Sequence, residues 1–427
     1  MYAQCTRQER LYASATASTG NVADEGNAVD DLVNSASTIS ATLVFTSTQY
    51  LRFSERIAGG TPVTIKLTAP SGGIGVLSNL TLQAYTESAP GVRTNAGAAV
   101  VDASLLSVLT ASGGMEYTFT PKTGAGANVD YDGVSVKLGG VNLTTVSMSV
   151  YHAFVMKNAT ADVSCNQVID YLYGVKAAAV NLLTFANKVE EPEKAFDGDL
   201  ASYAALKTAV GVLTGLYETV IFKTPSQPGD SLRIILKDLN NPVLTLALLN
   251  GFSVQPYLGQ TPAGSPLTGA STLLNLRLLE GGTEQQYVLT AAIPDPFDRV
   301  EIIVAGLAGV ARELRIYDVT RIAREPDFNF TVSGQPGSSP VCITKVNNVL
   351  YTITGAESCA AYRWYGADNT LLASGPSFTP TVTTAGTYTY YVAAQRTGCT
   401  NVETKKQLSL TVGALPGPPT LTIQTNP

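Results

Sequence analysis

With 427 residues, 45% of them hydrophobic and only 14% charged, the chain is long and apolar enough for about three domains with cores of their own, which excludes a disordered chain. The net charge of −6 comes without a Lys/Arg cluster, so a nucleic-acid footprint is excluded, and no apolar run is long enough to cross a bilayer as a helix. The low charged fraction leaves Ser, Thr, Asn and Gln to provide much of the wet surface, as in many extracellular β-proteins.

Taken in order, residues 1–161 read as strands. Val63-Thr64-Ile65-Lys66-Leu67, Leu80-Thr81-Leu82-Gln83-Ala84-Tyr85 and Tyr117-Thr118-Phe119-Thr120 alternate with period two between Gly, Pro and Asn clusters. Ala13 to Gly26, rich in Ser, Thr and Gly, reads as loop with strand. Residues 162–325 repeat the plan in Leu232-Arg233-Ile234-Ile235-Leu236, Phe252-Ser253-Val254-Gln255 and Tyr287-Val288-Leu289-Thr290. The exception is Asn166 to Val189, where a short helix is expected around Val175 to Leu183.

The two stretches share ordered anchors. Leu11-Tyr12, Asp30, Tyr50, Gln83-Ala84-Tyr85, Asp132 and Tyr151 are answered by Leu172-Tyr173, Asp197, Tyr217, Gln255-Pro256-Tyr257, Asp298 and Tyr317. Asp30 to Tyr50 is 20 positions, as is Asp197 to Tyr217, and Asp132 to Tyr151 is 19, as is Asp298 to Tyr317. Copies of this length are too long for solenoid repeats. They predict two tandem jelly-roll β-sandwiches of about eight strands each, in an all-β chain.

A third domain is expected over residues 326–414. Tyr362-Arg363-Trp364-Tyr365 puts the sole tryptophan mid-strand, where an immunoglobulin-type core holds it, and Gly386-Thr387-Tyr388-Thr389-Tyr390 has the pattern of a tyrosine corner. Residues 415–427 begin with Leu415-Pro416-Gly417-Pro418-Pro419 and then alternate again from Thr420 to Ile423, which reads as a linker or the start of a further domain. With Met1-Tyr2-Ala3-Gln4 read as a start placed on a mature end, the chain is expected to be a fragment of a longer one.

On these residues the third domain resembles the bacterial immunoglobulin-like or PKD-like domains of long surface proteins, such as the large adhesins of gliding bacteria. The resemblance implies a disulfide between Cys342 and Cys399; pairing of Cys359 with Cys399 stays open beside it. Ala195-Phe196-Asp197-Gly198-Asp199-Leu200-Ala201-Ser202-Tyr203 resembles the signature loop of discoidin-like, galactose-binding-like jelly rolls. That resemblance implies a structural calcium held by Asp197, Asp199 and Ser202, and by Asp30 and Asp31 in the first copy, where Asp31 replaces the glycine. Calcium takes six to eight oxygens, and an Asx turn is the competing role of these loops.

Catalysis finds little support. His152, the single histidine, has no partner pattern around it. The pairs Asp24/Glu25 and Glu190/Glu191 read as solvated loop charges rather than glycosidase acids, and the chain is read as no enzyme. Tyr85 and Tyr257, each before a polar loop, are either platforms for a sugar ring or ordinary strand-end core residues. Two functions are expected to compete. One is a non-catalytic extracellular fragment, on a bacterial surface or secreted, serving adhesion or a structural filament through adjacent domains and self-assembly. The other is a carbohydrate-binding module array of a larger glycan-targeting protein.

Overall fold

A computed structural model describes residues 8–42, 44–71, 80–101, 114–139, 145–159, 167–176, 188–208, 215–239, 251–268, 274–279, 285–305, 312–357, 360–396 and 405–415. Their regular structure is almost entirely β-strand, with three short 3-10 turns, Glu25–Val29, Pro192–Ala195 and Ile343–Asn348. The chain divides into two compact units, residues 7–321 and the residues from 322 onward.

The first unit holds two sandwiches of the same design. In the first, one sheet runs Gly114–Phe119, Val63–Thr68, Val146–Asn158, Ser37–Ala41, Asn21–Ala23, with Gln8–Tyr12 also paired to Val146–Asn158. The other runs Ala15–Thr19, Ser47–Ile57, Tyr131–Leu138, Leu80–Ala89, Val92–Asn95. In the second sandwich these become Tyr287–Ala292, Ser231–Asp238, Arg312–Ile322, Ala204–Thr208, Lys188–Glu190, and Val168–Lys176, Gly215–Phe222, Arg299–Ala305, Phe252–Leu258, Thr261–Pro262. These strand orders agree; Gln8–Tyr12 in the first sandwich and Leu274–Leu278, paired beyond Tyr287–Ala292 in the second, have no counterparts. Alternation places Leu51, Ile65, Leu82 and Val134 in one core and Leu206, Val220, Ile234 and Val300 in the other.

Register aligns the copies residue by residue and revises two sequence anchors. Gly133 pairs with Tyr85 as Arg299 pairs with Tyr257, so the Gln-x-Tyr strands coincide. Val134 pairs with Leu51 and Val300 with Val220, which sets Tyr50 opposite Thr219 rather than Tyr217. Leu11-Tyr12 lies on a strand of one sheet, paired with Val155 and Phe154. Leu172-Tyr173 lies in the other sheet, paired with Thr219 and Glu218, so those pairs are not counterparts. The expected helix meets strand instead where it can be seen, since Val175 and Lys176 close Val168–Lys176; Ala177 to Leu183 lies outside the described residues.

The second unit is an immunoglobulin-like sandwich. Gln335–Pro336, Asp327–Val332, Val349–Thr354 and Ser377–Phe378 face Val341–Cys342, Lys405–Gly413, Gly386–Arg396, Ala360–Gly366 and Leu371–Ser374. Trp364 is fully buried between Tyr351 and Phe378, its ring 5.4 Å from the Phe378 ring, and its Nε1–H donates to Gly375 O at 2.9 Å. Tyr388 Oη donates to Thr384 O at 3.0 Å, which closes the tyrosine corner, and Tyr390 packs edge-on against Phe378.

Candidate functional site

The two acidic loops are built alike. A residue in the left-handed region, Asp24 (φ 52°) or Glu191 (φ 48°), starts a 3-10 turn, and an Asx turn follows it. Leu32 N donates to Asp30 Oδ1 at 3.0 Å, as Asp199 N donates to Asp197 Oδ1 at 2.9 Å. Asp31 adopts φ 64° where Gly198 has φ 81°, so the first copy keeps the backbone shape with a residue that pays a strain penalty there.

In the second copy most of these oxygens are already engaged. Ser202 Oγ donates to Asp197 Oδ2 at 2.7 Å, Lys194 Nζ sits 3.3 Å from the same oxygen, and Ala201 N donates to Asp199 Oδ1 at 2.9 Å. Where calcium would need a shell of oxygens, the loop presents N–H and O–H donors and an ammonium group. No group of three or more His, Cys, Asp or Glu side chains that could hold a metal occurs among the described residues. So engaged, the side chains of Asp197, Asp199 and Ser202 are a poor shell for calcium. The melting curve of the chain is therefore expected to be the same in chelator and in millimolar calcium; an upward shift with calcium, which mass action gives any ion bound only by the folded state, would refute this.

Of the two tyrosines, Tyr85 offers no face to a sugar ring. Tyr85 is 1% exposed, its ring edge-on to Tyr50 at 5.5 Å, and burial pushes its hydroxyl up to about 12. It fits because its cross-strand partner is Gly133, where a Cβ would lie 2.6 Å from the tyrosine oxygen. Tyr257 is half-buried and its hydroxyl donates to Glu301 Oε1 at 3.2 Å. What the Gln-x-Tyr repeat encodes is a loop clamp. Gln83 Nε2 donates to Ala84 O and Ala96 O at 2.9 and 3.2 Å, and Gln255 Nε2 to Pro256 O and Gly264 O at 2.7 and 3.2 Å.

Of the expected disulfide only Cys342 lies among the described residues. Cys342 is a free thiol whose Sγ lies 3.4 Å from Thr344 Oγ1. On its two-residue strand Val341 takes the inward position in the core and Cys342 the outward one. Cys399, Cys5, Cys165 and Cys359 lie outside the described residues.

The charged residues that do converge are ones the sequence reading passed over. Glu116 accepts from Arg10 Nη2 at 3.1 Å and from Arg299 Nη1 at 2.5 Å, which ties the first sandwich to the second. Asp170, on the second sandwich, accepts from Lys66 Nζ at 2.6 Å and Arg10 Nη1 at 3.2 Å. Lys66 spends its remaining donors on Val33 O and Tyr171 O, and Gln260 Nε2 donates to Glu116 O. The side chains of Arg10, Lys66, Glu116, Asp170 and Arg299 are all at most 8% exposed.

Burial alone would push both carboxyls up. Arg299 and Arg10 nevertheless hold Glu116 below the ordinary carboxylate range, and Lys66, His152 and Arg10 hold Asp170 well below it. His152 Nε2 lies 3.2 Å from Asp170 Oδ2, and burial lowers the pKa of its imidazole. The histidine is thus a structural member of this seam. Beside it, Asp30, Asp31, Tyr12 and Tyr151 line a hollow of about 10 Å³, room for a water and not for a sugar ring.

The larger cleft lies in the immunoglobulin-like unit. It measures about 600 Å³ between the edge strands Leu371–Ser374 and Ser377–Phe378, with Asp368, Thr370, Thr387 and Thr389 on its walls and Phe378 and Tyr390 at its floor. Residues 331–413 match the family described as Ig-like domain, CHU_C associated. No curated protein matches the chain.

Solved structures with similarity include a fucolectin from striped bass (Morone saxatilis) serum, 13% identical over 73% of this chain and 98% of that one, with a TM-score of 0.24. The adhesin domain of Epf from Streptococcus pyogenes is 11% identical over 51% of this chain and 78% of that one, with a TM-score of 0.21. The paired CBM32 domains of Clostridium perfringens ZmpB are 10% identical over 72% and 92%, also with a TM-score of 0.21. At these scores none of them bears on what this chain binds.

Proposed function

We propose that the chain is a non-catalytic part of an extracellular surface protein, serving as a stiff spacer and contact surface in adhesion or in a filament. The observation that carries this reading is the buried seam of Arg10, Lys66, Glu116, Asp170 and Arg299. It joins two duplicated sandwiches into one compact unit and commits their charged groups to each other rather than to a ligand. The match of residues 331–413 to a domain type associated with surface proteins supports an outward location. The absence of a helix long and apolar enough to cross a membrane, among the described residues, is compatible with it.

A second reading, glycan recognition, is favoured by the cleft of about 600 Å³ in the immunoglobulin-like unit, within the usual size range of ligand pockets and walled by hydroxyls. A glycan array probed with the whole chain separates the two. The spacer reading expects no glycan class above background. A reproducible class of hits, lost on Thr370→Arg, would overturn it and place recognition in the cleft.

A further inference from the structure

Glu218 stands in the core of the second sandwich. It is fully buried on Gly215–Phe222, and alternation puts it on the same face as Leu216, Val220 and Phe222, which belong to the apolar core. Its cross-strand partners are Tyr173 and Ile302. Neither carboxyl oxygen has a hydrogen-bond partner.

The first sandwich supplies the comparison. There the matching position is Gln49, equally buried, which accepts from Ser37 Oγ at 2.6 Å and donates to Glu25 O at 3.1 Å and Thr16 Oγ1 at 3.3 Å. Ser37 pairs with Val150 as Ala204 pairs with Ile316, so the second sandwich has an alanine where the first has the donating serine. Where the first copy has an amide with three partners the second has a carboxyl with none, near enough to the 3-10 turn Pro192–Ala195 to feel the charge of Glu193.

An ionised carboxylate without partners is very costly in such a place, so the folded form is the neutral acid. Burial, and then Glu193 on the neighbouring turn, push its pKa well above the ordinary carboxylate value. The other charged groups on the packed elements do not relieve it. Lys188 and Lys207 bond Glu190 at the surface, and Lys194, on the same turn as Glu193, is held by Asp197 at 3.3 Å. Asp170 and Arg299 face the seam on the opposite side of the sheet, and Glu301 shares that side with Arg299.

We propose that Glu218 makes the second sandwich a pH-responsive module, closed while the carboxyl is protonated and loosened at its Pro192–Ala195 end as the pH rises. The sign follows from linkage. Because the folded form holds its proton more tightly than the unfolded chain, the stabilisation is complete below the ordinary carboxylate range and is lost as pH climbs toward the folded value. Each pH unit between the two values is worth a factor of about ten in the opening equilibrium.

The test transplants the first copy's solution. Hydrogen exchange of the whole chain is compared with that of the double variant Glu218→Gln, Ala204→Ser, pH by pH. Peptides covering 192–204 and 215–222 are expected to exchange alike in both at about pH 4. At about pH 8 the variant should exchange at least tenfold more slowly, while peptides of the first sandwich stay unchanged. A difference that does not grow with pH, or none at all, overturns the proposal. Should the double variant fail to fold, Gln49→Glu in the first sandwich must create the same pH-dependent loosening around 25–37 and 47–57, and its absence would equally overturn it.

Discussion

Glu116→Ala is expected to destabilise residues 7–321 by about 3–5 kcal/mol, because it leaves Arg10 and Arg299 buried without the carboxylate they share. The loss is the cost of stranded cations rather than the worth of a contact. Replacing Arg10, Glu116 and Arg299 together by apolar residues of similar volume should therefore restore most of it. Denaturant unfolding monitored on this unit decides the matter, and a change below about 0.5 kcal/mol for the single variant would mean that the seam opens to water. The same carboxylate sets an acid limb. Glu116 and Asp170 are held below the ordinary carboxylate range, so their contribution is complete above that range and is lost as pH falls through the folded values. In Glu116→Ala that limb should be shallower.

Trp364→Ala should cost the immunoglobulin-like unit about 3–5 kcal/mol, since it empties the centre of an aromatic stack formed with Tyr351 and Phe378. Trp364→Phe keeps most of the stack but leaves Gly375 O without its donor, a smaller loss of about 1–3 kcal/mol. Calorimetry of the whole chain is the measurement. Because residues 7–321 form a separate compact unit, the transition that moves is expected to be the one belonging to residues 322 onward. A uniform shift of every transition would contradict the division into units.

The strands were readable because period-two alternation of β-branched and polar residues is a local signal, and so was the duplication, since Gln83/Tyr85 and Gln255/Tyr257 do occupy matching positions. The purpose of those residues was not readable. That Tyr85 is buried on the face away from the core depends on the missing Cβ of Gly133, and that Gln83 clamps a loop depends on where Ala96 returns. The seam was hidden for a related reason. Lys66, Glu116 and Asp170 each stand singly in an apolar strand, on the face that a lone sandwich gives to solvent, and Glu116 meets Arg299 across 183 positions of sequence. A charge interrupting a strand is a signal, but only the packing of one copy on the other turns it from a wet residue into a buried one.

Gly133 and Arg299 occupy the same rung of matching ladders, yet one makes room for an aromatic ring and the other reaches across to Glu116. The duplicates have thereby ceased to be interchangeable. An array of the first copy alone would offer Glu116 no arginine from its neighbour at that rung, and reversing the order of the copies would set the bridging cation at the free end. Within this pair, the order of the two copies is fixed by which of them carries Glu116 and which carries Arg299.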